Sequence, residues 1–262
     1  MTQVLIAAAI LGAIGLLGGA LLAVVSTLCD KGDNNEKAAL VREALPGANC
    51  GACGFAGCDA YAEAIANGTA EANLCAPGGK ETAEKLSKIL GIEVVSEEKV
   101  AMVSCNGCSS NVDTRFNYVG IKSCVAAAAV LGGPSACEYG CIGFGDCVSA
   151  CSFNAISVTD GLAKVDGSLC GGCGSCATVC PKEVIKIVPK LKSAKLLCNN
   201  HQKGATAKKV CKTACIGCGL CAKKCENGAI TVENFLAQID PTKCNACGKC
   251  VDACPQKIIS IF

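Results

Sequence analysis

The chain has 262 residues, a net charge of +2 and 26 cysteines, but no tryptophan and only 3% aromatic residues. A nearly balanced charge with scattered signs excludes the broad basic surface that nucleic-acid binding requires. A cysteine content this high suits disulfides in a short secreted protein, but this chain is long and its cysteines are tightly spaced. Such spacing disfavours disulfides and indicates metal-bound thiolates, with zinc and iron–sulfur clusters as the alternatives.

The N-terminal region predicts a membrane anchor. From Val4 to Leu28 no residue carries a charge, and a helix of that length is roughly 37 Å long, enough to cross a hydrocarbon core of about 30 Å. A cleaved signal peptide is the alternative, but no basic residue precedes the run and no small-residue cleavage site ends it. Lys31, Lys37 and Arg42 follow the run, so the positive-inside rule places the rest of the chain in the cytoplasm, where thiols stay reduced.

A first cysteine group follows a polar joint and a short amphipathic helix. The stretches CGACGFAGC and CAPGG supply Cys50, Cys53, Cys58 and Cys75, with a predicted helix between them. Three close cysteines and one distant cysteine make a four-thiolate site, and the glycines let the backbone approach a bulky cluster. We predict a [4Fe–4S] site in a small α-rich domain, although four thiolates would also suit zinc.

The remainder of the chain contains an internal repeat with a period of 74 residues, in which nine cysteines recur without a gap. The first copy contains Cys124, Cys137, Cys141, Cys147, Cys151, Cys170, Cys173, Cys176 and Cys180. The second copy contains Cys198, Cys211, Cys215, Cys221, Cys225, Cys244, Cys247, Cys250 and Cys254. Each copy also predicts a hairpin, with its turn at Asp160-Gly161 in the first.

The second copy holds two complete runs with the spacing C-x2-C-x2-C-x3-C. This is the pattern of bacterial two-cluster ferredoxins, in which the fourth cysteine of each run binds the other cluster. The runs therefore predict two [4Fe–4S] sites. One has the ligands Cys215, Cys218, Cys221 and Cys254, and the other has Cys244, Cys247, Cys250 and Cys225.

The first copy lacks one expected ligand, because Phe144 stands where the repeat requires the counterpart of Cys218. The remaining members of that site are Cys141, Cys147 and Cys180, and we expect Cys137 to complete it. The partner site is complete, with Cys151, Cys170, Cys173 and Cys176.

The segment before the repeats predicts one more site. Its motif SCNGC supplies Cys105 and Cys108, which we group with Cys124, and the fourth ligand is either Cys198 or Cys211. With this site the chain would bind about six [4Fe–4S] clusters and use most of its cysteines.

The predicted fold is α+β. Its parts are a transmembrane anchor at 1–28, a linker with a short helix at 29–45, the N-terminal [4Fe–4S] domain at 46–95, a linker with cluster ligands at 96–123, and two ferredoxin-like, βαβ-type repeats at 124–197 and 198–262. No dinucleotide-binding glycine motif follows a predicted strand, so no NAD or flavin site is expected in this chain. The lysine-rich run from Lys182 to Lys195 is expected to be solvated and would suit an acidic partner.

These motifs, in this order, resemble the B subunit of the Rnf complex, the membrane ferredoxin:NAD⁺ oxidoreductase that couples electron transfer to sodium or proton translocation. The resemblance covers the whole chain through the anchor, CGACGFAGC…CAPGG, SCNGC, ACEYGCIGFGDC and the ferredoxin runs. It implies a plasma-membrane protein that accepts electrons from soluble ferredoxin and relays them to the other subunits of the complex. An electron-transfer subunit of another membrane enzyme, such as a hydrogenase, and a structural zinc protein are the alternatives.

Overall fold

The computed structural model describes residue 15, residues 18–21 and residues 32–262. Within these residues, no helix has both the length and the apolar character needed to cross a membrane. Most of the predicted anchor lies outside the described residues, so the anchor stays a prediction.

Three helices form the N-terminal domain: α1 (Gly32–Ala44), α2 (Cys58–Ala66) and α3 (Gly79–Leu90). Helix α1 packs against both α2 and α3. Their shared core contains Val41, Tyr61 and Leu86, none of which is more than 1% exposed. Because these side chains are large and apolar, this domain has a hydrophobic core besides its cysteines.

The first ferredoxin-like unit contains two small antiparallel sheets. Strand β1 (Lys99–Val103) pairs with β4 (Ile185–Pro189), and β2 (Ile156–Thr159) forms a hairpin with β3 (Leu162–Val165). Short helices connect the strands: α4 (Cys124–Ala129), α5 (Asp146–Ser149) and α6 (Ser175–Thr178).

The second unit repeats this arrangement. Strand β5 (Ala194–Leu196) pairs with β8 (Ile259–Ile261), and β6 (Ile230–Glu233) forms a hairpin with β7 (Leu236–Ile239). Its helices are α7 (Gly204–Val210), α8 (Leu220–Lys223) and α9 (Lys249–Ala253).

Both predicted hairpins are confirmed. In the first, Asp160 and Gly161 have φ values of 52° and 70°, as two-residue hairpin turns of the primed type require. The description βαβ needs correction, however. It fits the order of elements along the chain, but every pair of named strands in the described residues is antiparallel, whereas a βαβ crossover joins parallel strands.

Each unit begins with a strand that lies upstream of the cysteine repeat. Strand β1 falls in residues 96–123, assigned above to a linker, and pairs with the last strand of the first unit. Strand β5 falls in residues 124–197, assigned above to the first repeat, but pairs with the last strand of the second unit. Structural units and sequence repeats therefore have different limits.

Candidate metal centres

Sets of four thiols surround small cavities in the second unit. One cavity is lined by Cys215, Cys218, Cys221 and Cys254. Another is lined by Cys225, Cys244, Cys247 and Cys250. The structure thus brings together the two crossed sets that the ferredoxin spacing predicts, in which the fourth cysteine of each run joins the other set.

The complete set of the first unit also converges. Burial, together with the neighbouring thiols of Cys173, Cys170 and Cys151, raises the pKa of Cys176 to about 11. The Cys176 thiol is therefore protonated at neutral pH, whereas metals bind thiolates. Metal binding here must therefore release protons.

The N-terminal set is held by the helical core. Burial, together with the nearby thiols of Cys58, Cys50 and Cys53, raises the pKa of Cys75 to about 11. The hydroxyl of Tyr61 accepts a hydrogen bond from the Leu74 N–H at 3.1 Å, directly before Cys75. The core tyrosine therefore fixes the loop that carries the distant cysteine.

The structure brings Cys124, rather than the predicted Cys137, beside the incomplete set of the first unit. One cavity is lined by Cys124, Cys141, Cys147 and Cys180. Burial and the proximity of Cys141, Cys124 and Cys180 raise the pKa of Cys147 to about 12.

Asp146 explains why Cys124 lies beside Cys147. Its carboxylate accepts hydrogen bonds from the backbone N–H groups of Cys124 at 2.9 Å and Val125 at 3.1 Å, and from the Ser123 hydroxyl at 2.8 Å. These contacts hold the start of α4 beside the start of α5, which carries Cys147. The equivalent residue of the second unit is Leu220, which has no group to accept such bonds.

A sixth set lies between the two units, where Cys105, Cys137, Cys198 and Cys211 line one cavity. The structure thus separates Cys105 from Cys108 and Cys124, with which it was grouped in the prediction. The Cys108 sulfur does not line this cavity. It lies 3.1 Å from the Ser110 hydroxyl and 3.2 Å from the Asn111 side-chain nitrogen.

Backbone N–H groups point at several of these sulfurs. Ala101 donates to Cys170 Sγ at 3.4 Å, and Ala194 donates to Cys244 Sγ at 3.3 Å from the matching strand of the second unit. Such donors favour the thiolate form and tune the potential of a bound cluster. Among the described residues, no three potential ligands lie close enough together to hold a single metal ion.

Glycine brings one cysteine loop onto the first hairpin. Gly143 has a φ of +82°, and a Cβ on this residue would lie 2.3 Å from the Gly161 carbonyl oxygen. No other residue fits there without moving backbone. The hairpin turn is therefore in direct contact with the loop that carries Cys141.

Family models and relatives agree with this chemistry. Residues 45–77 match a putative Fe-S cluster family, and residues 136–184 and 214–258 each match the 4Fe-4S dicluster domain. The B subunit of the Na(+)-translocating ferredoxin:NAD(+) oxidoreductase complex of Acetobacterium woodii is 43% identical over 99% of this chain and 78% of its own length.

Two further relatives match at similar identity. The B subunit of the ion-translocating oxidoreductase complex of Methanosarcina acetivorans is 43% identical over 100% of both chains. Its counterpart in the proton-translocating ferredoxin:NAD(+) oxidoreductase complex of Clostridium ljungdahlii is 42% identical over 93% of this chain and 87% of its own length. The chain belongs to this B-subunit family. The resemblance noted from its motifs is confirmed, and the dicluster matches support several [4Fe–4S] clusters.

The sequence of this Rnf-family chain does not reveal one buried charged residue near a four-thiol set. Lys195 lies in the lysine-rich run that was expected to be solvated, and Lys186, Lys190 and Lys192 are indeed exposed. Lys195 is only 6% exposed, and within the described part of the chain its Nζ is buried without a hydrogen-bond partner. Burial lowers its pKa, and nearby Cys244 opposes that shift. Its ammonium group therefore lies near Cys244, a member of the Cys225/Cys244/Cys247/Cys250 set.

We expect Lys195→Met to lower the midpoint potential of one cluster by about 50 mV, slightly over 1 kcal/mol for one electron. A buried positive charge stabilises the more negative reduced state, and methionine fills similar space without charge. Methionine also occupies the matching strand position of the first unit, Met102. The measurement is an EPR-monitored redox titration. Lys192→Met, on an exposed side chain, is the control and should leave all potentials unchanged. The prediction would be contradicted if all midpoint potentials of Lys195→Met equalled those of the wild type.

Proposed function

We propose that the chain is the iron–sulfur electron-transfer subunit of an Rnf-type ion-translocating ferredoxin:NAD⁺ oxidoreductase. It accepts electrons from reduced soluble ferredoxin and relays them to the other subunits of the complex. The main support for this proposal is the succession of four-thiol sets from one unit of the structure to the next. The similarity of nearly the whole chain to B subunits of ion-translocating oxidoreductase complexes supports it further.

Five cluster sites follow from the convergence of thiols within the N-terminal domain and the two units. Their proposed ligands are Cys50, Cys53, Cys58 and Cys75; Cys151, Cys170, Cys173 and Cys176; Cys124, Cys141, Cys147 and Cys180; Cys215, Cys218, Cys221 and Cys254; and Cys225, Cys244, Cys247 and Cys250. Bound [4Fe–4S] clusters would supply one-electron carriers with potentials set by their surroundings.

The proximity of thiols from different sets supports electron transfer between the proposed sites. Cys147 lies in α5 and Cys151 follows that helix after one residue, yet the two thiols belong to different sets. Cys50 of the N-terminal set lies near Cys173 of the first unit. Burial raises the pKa of Cys50, and the neighbouring Cys173 thiol contributes to this increase. Both sets border an open cleft of about 610 Å³ through Cys53 and Cys173. Electrons can therefore pass between the N-terminal domain and the first unit.

The remaining parts of the proposal concern location and partners. Residues 1–28 anchor the chain in the plasma membrane, and the cluster domains face the cytoplasm, as the basic residues after the apolar run favour. A single uncharged span offers no carboxylate or histidine for an ion path, so translocation belongs to other subunits.

Reduction by ferredoxin tests the proposal directly. The full chain, purified without oxygen, is mixed with reduced ferredoxin, and cluster reduction is followed by visible absorbance and EPR. We expect reduction of several clusters within the mixing time and a further, smaller change on adding dithionite. The proposal fails if an iron-loaded protein is reduced by dithionite but not by ferredoxin, or if the metal proves to be zinc.

A further inference from the structure

The cavity between the two ferredoxin-like units has the features of a sixth cluster site. Its four thiols come from both units: Cys105 follows β1, Cys137 precedes α5, Cys198 follows β5, and Cys211 ends α7. Cys137, Cys198 and Cys211 are each less than a tenth exposed. A Cβ built on Gly107 would lie 3.4 Å from Cys105 Sγ and 3.9 Å from Cys211 Sγ, so these two sulfurs flank the same point.

Three of the four sulfurs in this cavity accept a hydrogen bond. Cys105 Sγ accepts from the Gly107 N–H at 3.4 Å. The buried amide of Asn200 donates to Cys137 Sγ at 3.5 Å. Cys198 Sγ accepts from a backbone N–H of the second unit. The Thr213 hydroxyl lies 3.5 Å from Cys211 Sγ but donates its hydrogen to a backbone carbonyl. Donors of this kind stabilise negative charge on sulfur, as a ligating thiolate requires.

The loop that follows Cys105 is fastened to the second unit beside the cavity. Lys212 N–H donates to the Asn111 carbonyl oxygen at 2.9 Å, and the Thr213 hydroxyl donates to the Asn106 carbonyl oxygen at 3.2 Å. Val112 and Cys211 form an isolated antiparallel bridge. The two units are therefore held together at the place where the four thiols meet, which gives the cavity a fixed geometry.

The same cavity contacts one proposed site in each unit. Cys105 Sγ accepts from the N–H of Cys141 at 3.5 Å, and Cys141 belongs to the incomplete set of the first unit. Cys198 Sγ accepts from the N–H of Cys215 at 3.3 Å, and Cys215 belongs to the second unit. Resting on the proposed electron-transfer function, we infer that Cys105, Cys137, Cys198 and Cys211 bind a [4Fe–4S] cluster that joins the two units into one unbranched series of six sites.

The neighbouring Cys108 provides a matched control. It belongs to the same SCNGC motif as Cys105, but its sulfur contacts Ser110 and Asn111 outside the cavity. The test uses the full chain, purified without oxygen, as wild type and as the variants Cys211→Ala, Cys105→Ala and Cys108→Ala. Iron, acid-labile sulfide and zinc are quantified per chain, and EPR records the cluster types.

We expect about 24 iron atoms in the wild type, as six four-iron clusters require. Cys211→Ala and Cys105→Ala should each lose up to a sixth of the iron or show a three-iron signal, while Cys108→Ala matches the wild type. The inference would be overturned if the wild type contained only about 20 iron atoms, with or without one zinc ion. It would also be overturned if Cys108→Ala lost iron while Cys105→Ala and Cys211→Ala did not.

The wild-type count decides the question even if a variant does not fold. Ferredoxin reduction of the same samples separates this inference from the proposed function. If the wild type lacks the iron of one cluster but is still reduced by ferredoxin, only the linking site is contradicted. If the protein contains all the expected iron but is not reduced by ferredoxin, the proposed function is contradicted.

Discussion

Replacing Cys124 by alanine is expected to remove one to four iron atoms from the first ferredoxin-like unit, because a cluster that loses one of four thiolates loses an iron or dissociates. The sequence repeat does not single out this residue. Its role follows from the cavity that it lines with Cys141, Cys147 and Cys180. Iron analysis and EPR of the anaerobically purified full chain provide the measurement.

A second substitution makes this prediction specific. Phe144 occupies the position of Cys218 in the second unit, so Phe144→Cys restores the ligand that the ferredoxin pattern expects. We expect the double variant Cys124→Ala/Phe144→Cys to regain the lost iron. The matched double variant Cys137→Ala/Phe144→Cys should not regain iron, because Cys137 lines the cavity between the units. Rescue in the second double variant and not in the first would show that Cys137 serves the first unit after all.

Removing the clusters is expected to unfold the two ferredoxin-like units while leaving much of the N-terminal helical domain folded. The core of the second unit includes Cys198, Cys215, Cys221 and Cys250, surrounded by small or aliphatic residues. Without metal, these thiols leave cavities and little apolar area to offset the loss of chain entropy. The N-terminal core keeps Val41, Tyr61 and Leu86.

Hydrogen exchange resolved by peptide provides the test. After oxidative chelation of iron, peptides from residues 99–262 should lose nearly all slowly exchanging amides, whereas those from α1 to α3 keep a substantial fraction. Protein treated with the same chelator in the absence of oxidant should keep its iron and its protection, and serves as the control. Persistent protection of the β2–β3 and β6–β7 hairpins in iron-free protein would contradict the prediction.

The local features of this chain were predictable because they depend on short stretches of sequence. The hairpin turn at Asp160-Gly161 follows from residues that tolerate positive φ. The crossed sets of the second unit follow from cysteine spacing within two short runs. The lysine-rich run was misleading at one position only. Strand pairing buries Lys195, whereas Lys186, Lys190 and Lys192 remain exposed.

The assignment of the remaining cysteines was not predictable from the repeat. Cys124 and Cys198 are equivalent in sequence, yet Cys124 completes the set of its own unit and Cys198 lines the cavity between the units. Two sequence differences between the copies explain why the two cysteines lie in different sets. Phe144 stands where the second unit has Cys218, so the first unit lacks that cysteine. Asp146 accepts hydrogen bonds from the backbone at the start of α4, which carries Cys124. Such contacts join residues far apart in the chain and leave no periodic signal in the sequence.

The offset between strands and cysteine repeats decides how the molecule can be divided. A fragment cut at Cys198 would contain every thiol of both second-unit sets but would lack β5, leaving β8 as an unpaired edge. A fragment cut at Cys124 would likewise leave β4 without β1. Workable boundaries therefore lie just before Lys99 and just before Ala194.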